Sequence, residues 1–167
     1  MCPDASENTN RTCKKEAELI EGYFGRPFFL SFTIGIPFCI FKLLFGLSAI
    51  RRGVPDNLFL GILGGVIIIW ATADFLLNAG RAALDLIHRK APFEYCTIAE
   101  VGRIFHKPMV FLAIDTFLTF CIICAMLWSG WITTLTVFES YMWYAATTLN
   151  LISLSLVTLY NEVKAAG

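Results

Sequence analysis

Four long apolar runs, each bounded by polar or turn-forming residues, dominate the chain. The first covers about residues 28–50 and ends in the turn Arg51-Arg52-Gly53-Val54-Pro55-Asp56-Asn57. The second has an expected span of 58–80, is plainly apolar to Leu77, and keeps its helical pattern to about His88. The third covers 109–128, and a turn around Ser129-Gly130 leads to the fourth, 136–160. A helix needs about 20 residues to cross a hydrocarbon core about 30 Å thick, so each run is long enough. None of them alternates with period two, and an open sheet leaves its backbone groups unsatisfied in lipid. The pattern predicts an all-α fold. It is an integral membrane four-helix bundle running up and down, with short interfacial amphipathic helices.

Two shorter segments carry the interfacial expectation. Within the polar stretch 1–27, Thr12 is placed to cap a helix from Cys13 to Phe24, Gly25 stops it, and Pro27 opens the next helix. Within the connection 89–108, Thr97-Ile98-Ala99-Glu100 reads as a capping box. Ile98, Val101 and Phe105 then share a face, with Arg103 and Lys107 at its polar edge. An amphipathic helix beside a span lies on the membrane surface. Residues 161–167 form a tail. No internal repeat is visible, which argues against an inverted-repeat transporter built within one chain.

Composition agrees with the hydropathy pattern. Charged residues make up 16% of the chain, against about 25% in a soluble domain, and fifteen Phe exceed what one small aqueous core buries. The lipid bilayer is the implied surrounding. Net charge is zero and no basic run is interleaved with aromatics, so no nucleic-acid partner is indicated. The distribution of Lys and Arg sets an orientation. Arg11, Lys14, Lys15 and Arg26 precede the first span. Arg81, Arg89, Lys90, Arg103 and Lys107 flank the central connection, and Lys164 follows the last span. Only Arg51 and Arg52 lie on the opposite side. Both termini and the central connection are therefore expected in the cytoplasm, in a plasma or bacterial inner membrane. Trp128, Trp131, Tyr141, Trp143 and Tyr144 then fall in an outer aromatic belt. The sequon Asn10-Arg11-Thr12 points to an external N-terminus, but the charge bias outweighs it.

Ionisable residues within the spans are the sharpest leads, because a charge at the bilayer centre costs about 2.5–3.5 kcal/mol and so faces the bundle interior. In the first span, Gly35, Cys39, Lys42, Gly46 and Ala49 recur at helical steps and form a face of small residues around one lysine. In the second, Asp74, Asn78, Arg81, Asp85 and His88 follow one seam, with Gly61 and Gly65 as a close-packing pair. The third carries Asp115 with Thr119 one turn on. The fourth carries Glu139, then Trp143, Ala146, Asn150 and Ser153 on one seam. Helix rise puts Lys42 in the outer half of the membrane, near the height of Glu139, and puts Asp74 and Asp115 at a common depth in the inner half. Arg81 is within reach of Asn78 or Asp85 in its own helix, and Asp74 or Asp115 is a further candidate partner.

Other chemistry is weakly signalled. Cys121-x-x-Cys124 has a metal or redox spacing but lies in an apolar span without a second pair. The two histidines, His88 and His106, fall in the connection, and no metal or other cofactor is indicated. The cysteines are expected as reduced thiols. Three functions remain. The leading one is a non-enzymatic subunit or scaffold of a membrane complex, in a homo-oligomer or with other membrane subunits. The second is a small oligomeric ion or proton channel or transporter, with Lys42, Asp74, Asn78, Asp115, Glu139 and Asn150 as its polar path. The third is an enzyme acting on lipids or quinones at the inner interface through Arg81, Asp85 and His88.

Overall fold

The structure is a computed structural model that describes residues 27–89 and 91–166, so the expected helix Cys13–Phe24 lies outside the described residues. Among these the chain is helical without a strand. It begins with α1 (Pro27–Leu30), passes through a π turn (Ser31–Gly35), and continues as α2 (Ile36–Asp56). Then come α3 (Leu58–Leu86), the short α4 (Thr97–Ile104), α5 (Pro108–Trp128), a 3-10 turn (Trp131–Thr134) and α6 (Val137–Ala166). Four of these helical stretches are long and apolar enough to cross a membrane, as a multi-pass membrane protein requires. They form a helical bundle.

The π turn has a local cause. Pro37 has no N–H to give, and its ring crowds the carbonyl of Thr33 four residues back. A wider turn immediately before the proline absorbs that conflict without ending the helix. At the other end α2 runs past the expected limit at 50 and takes Arg51 and Arg52 with it. Asn57 is what separates it from α3. Its backbone is extended (φ −149°) and its Oδ1 accepts from Phe59 N (3.1 Å) and Leu60 N (3.3 Å), which caps the next helix.

The first span is the hub of the bundle. It is 61% buried inside the molecule, against 22%, 17% and 22% for the other three spans. Phe38, Phe41, Leu44, Phe45 and Ala49 of α2 meet Ile67 of α3, Ile122 and Met126 of α5, and Trp143 and Ala146 of α6. Trp143 is therefore a core residue, edge-on to Phe41 at 4.9 Å, and not part of an outer belt. Trp131 is likewise stacked on Phe45 at 5.5 Å. Contact with α2 draws both aromatics in.

The closest approach is between α2 and α3. A Cβ at Gly46 would stand 2.9 Å from the Gly64 carbonyl oxygen, and one at Gly53 would stand 2.2 Å from the Gly61 nitrogen. The small face on α2 thus packs where expected. On α3, however, the packing pair is Gly61 with Gly64. Gly65 has open space around it, because the crossing turns it away from α2.

The connection departs from its expected cap. Cys96, not Thr97, caps α4: its Sγ accepts from Ala99 N at 3.4 Å. Ala99 and Gly102 face inward, while Val101, Ile104 and Phe105 are exposed, an apolar face suited to a membrane surface. The two histidines close helices. His88 and His106 have positive φ (57° and 56°). His88 N bonds Asp85 O (3.0 Å) and Arg89 N bonds Leu84 O (2.8 Å). His106 N bonds Arg103 O (3.1 Å) and Lys107 N bonds Gly102 O (3.0 Å). These are Schellman motifs with histidine where glycine is usual. Replacing His106 by Gly removes the left-handed strain and is expected to raise stability by roughly 1 kcal/mol. A thermal melt of the detergent-solubilised protein checks it, and a lowered midpoint counts against this role.

Candidate functional site

Lys42, Asp74 and Asp115 converge at the centre of the molecule. Lys42 Nζ lies 2.6 Å from Asp74 Oδ2 and 2.7 Å from Asp115 Oδ1. It also sits 4.0 Å above the Trp70 ring, a cation–π contact. Lys42 and Asp74 are each 1% exposed and the Asp115 side chain 6%. Cα heights alone imply separate depths for the lysine and the aspartates. On a helix, however, the Cα–Cβ bond tilts toward the N-terminus, so the long Lys42 side chain reaches back along α2 to the aspartates and away from Glu139.

The two carboxyls are held differently. Asp74 Oδ1 accepts from the Thr97 backbone N–H and from the Thr97 hydroxyl, both at 2.7 Å. With Lys42 on its other oxygen, Asp74 has three donors. Asp115 accepts from Lys42 and, among the described residues, from no other donor. An ionised carboxylate is stabilised by every donor aimed at it. Asp74 thus has three donors aimed at it and Asp115 one. One ammonium facing two carboxylates leaves one uncompensated negative charge if all three are ionised.

The connection closes this site from one end. Asn78 Nδ2 donates to Tyr95 O (2.8 Å) and to Asp74 O (3.0 Å). Arg81 donates to Phe93 O (2.7 Å) and lies 3.7 Å over the Tyr95 ring. Arg103 donates to Pro92 O (2.6 Å) and pairs with Glu100. Three side chains therefore pin three loop carbonyls. The loop in turn places Cys96 and Thr97 against Asp115 and Asp74. Burial pushes the Cys96 thiol up from its ordinary value of 9.0 to about 12, with the nearby Asp115 charge acting in the same direction, so Cys96 remains a thiol at neutral pH. All four cysteines among the described residues are free.

The remaining sequence candidates lie elsewhere. Arg81 meets neither Asp74 nor Asp115, because the loop carbonyls are nearer. Asp85 accepts from Phe28 N at 3.2 Å and so ties α1 to α3. His88 is exposed at the helix end. These three do not converge on a common pocket. Glu139 pairs with Arg51 through two bonds, 2.6 Å and 2.9 Å, and forms a capping box with Thr136. Arg51 reaches it because α2 extends that far. Asn150 is buried, and its Oδ1 has no protein donor.

A cavity of about 170 Å³ adjoins the triad. Ile34, Phe38 and Leu112 supply apolar walls, and Asp74, Asn78 and Asp115 supply a polar end. Cys39 and Cys96 also border it, each less than 5% exposed. Thr97, Cys96 and Trp70 were not singled out as site residues by sequence reasoning. Trp70 had a signal, since it lies one turn before Asp74 on the same helix; the other two depend on how the connection folds back. Among the described residues no group of three or more His, Cys, Asp or Glu is placed to hold a metal ion. No family model, curated protein or solved structure matches the chain.

Proposed function

We propose that this chain is a small proton-conducting membrane protein, a channel or carrier, whose proton-binding group is Asp115. The observation that carries the reading is the buried triad with one charge too many. Two carboxylates share one ammonium away from water, and burying an unpaired charge is costly. A proton on Asp115 removes that charge. Asp74, with three donors, stays ionised and keeps Lys42 charged. The exchangeable proton is thereby assigned to one carboxyl. The excess of Lys and Arg at the connection end favours a cytoplasmic position for that end, and the site then takes protons from that side past Cys96 and Thr97.

The subunit or scaffold reading is less favoured by the same geometry. Lys42, Asp74 and Asp115, which are suited to recognising other chains, are turned inward and paired with one another, so no second chain is needed to complete the triad. The lipid or quinone enzyme loses its support because Arg81, Asp85 and His88 serve separate contacts.

Proteoliposomes with a potassium diffusion potential and an internal pH dye test the proposal. Wild-type protein is expected to carry protons, and Asp115→Asn to fall to the level of protein-free vesicles. Proton movement that survives in Asp115→Asn, or is missing in the wild type, contradicts it.

A further inference from the structure

The cavity beside the triad is larger than a proton requires. Its volume is about 170 Å³, and an apolar cavity of about 150 Å³ is enough to hold benzene. Three features of its polar end select one kind of occupant. The first is charge: Lys42 balances only one of Asp74 and Asp115. The second is an idle acceptor. Asn78 is 3% exposed, its Nδ2 is committed to Tyr95 O and Asp74 O, and its Oδ1 has no protein donor. A buried acceptor left without a donor is costly. The third is a shortage of donors, since the Lys42 ammonium is spent on two carboxylates and the Trp70 ring. A pocket with an idle amide acceptor, surplus negative charge and its one ammonium already committed favours a cation bearing N–H groups and disfavours an anion. The walls formed by Ile34, Phe38 and Leu112 favour a hydrocarbon body on that cation.

We infer that the cavity binds a small organic ammonium ion, a protonated primary amine with an apolar group of about benzene's size, in exchange for the proton on Asp115. The ligand enters as R–NH3+. The Asp115 O–H bond breaks, the proton leaves to water, and the carboxylate accepts from the ammonium while Asn78 Oδ1 takes a second N–H. The net charge of the cluster is the same before and after. The groups around Asp115 in this step are Lys42 and Cys39 on α2, Asp74 on α3, and Cys96 on the connection. The exchange rests on the proton-site reading above, whereas proton flux in vesicles without amine tests that reading alone.

The experiment is a calorimetric titration of the full-length, detergent-solubilised protein in weakly buffered solution with a pH indicator. The ligands are benzylammonium chloride, benzyl alcohol as its neutral analogue, and sodium chloride. The expected result is saturable benzylammonium binding with about one proton released per site, and benzyl alcohol binding at least about tenfold weaker, with no response to sodium. Asp115→Asn is expected to abolish binding. Because that variant also removes a Lys42 partner, Leu112→Trp serves as a second probe. It fills the cavity from its wall, leaves every charge in place, and is expected to weaken binding by at least about tenfold. The inference is overturned by an absence of saturable binding, by an equal response to benzyl alcohol or sodium, by binding without proton release, or by undiminished binding in Leu112→Trp. Any of these results alongside intact proton flux in vesicles removes the amine and leaves the proton site standing.

Discussion

Lys42→Met is expected to destabilise the protein by roughly 3–5 kcal/mol, the range for breaking a buried ion pair from one side. The methionine fills much of the lysine's volume, so the loss is electrostatic. Asp74, the ionised carboxylate, keeps its two bonds from Thr97 but loses its counter-ion, and protonated Asp115 loses the ammonium from which its other oxygen accepts. Removing the acidic group is then less harmful than in the wild type. Asp115→Asn is expected to cost less when combined with Lys42→Met than alone, which gives a clear coupling term in a double-mutant cycle. Reversible unfolding in a mixed-detergent titration measures all four proteins. Additive single effects would mean that the two residues do not share one network.

Gly53→Val is expected to open the α2–α3 hairpin. The atoms in its way are the nitrogen and Cα of Gly61, at 2.2 and 2.7 Å from the new Cβ. Both are backbone, so no rotamer change relieves the clash and the helices must separate. Overpacking of a core that can shift costs about 1–3 kcal/mol, and a rigid backbone contact costs more. Gly65→Val is the matched control, since nothing lies within 4 Å of its Cβ, and its effect is expected within about 0.5 kcal/mol. Similar stability losses in the two variants would contradict the described crossing of α2 and α3.

The helices were legible because membrane spans are written in length and hydropathy, and the small face around Lys42 was legible because helical spacing places Cβ atoms on one stripe. What sequence could not supply was the second half of each contact. Lys42 was readable as inward-facing, yet its partners depended on the direction in which a long side chain leaves the helix. Arg51 looked like part of a turn, and only the continuation of α2 to Asp56 brings it to Glu139. Gly64 and Gly65 are neighbours in sequence, and the helix crossing decides between them. Thr97 satisfies the local pattern of a cap, but Asp74, 23 residues away in sequence, offers its hydroxyl a charged acceptor, and the cap falls to Cys96. The histidines carry no sequence mark of the left-handed backbone they adopt.

Infrared difference spectroscopy of the carboxyl C=O stretch tests the assignment of the proton most directly. Wild-type protein in membranes at neutral pH is expected to show one protonated-carboxyl band, shifted in frequency by Asp115→Glu and unmoved by Asp74→Glu. No such band, or a band shifted by Asp74→Glu and unmoved by Asp115→Glu, would contradict a proton held on Asp115.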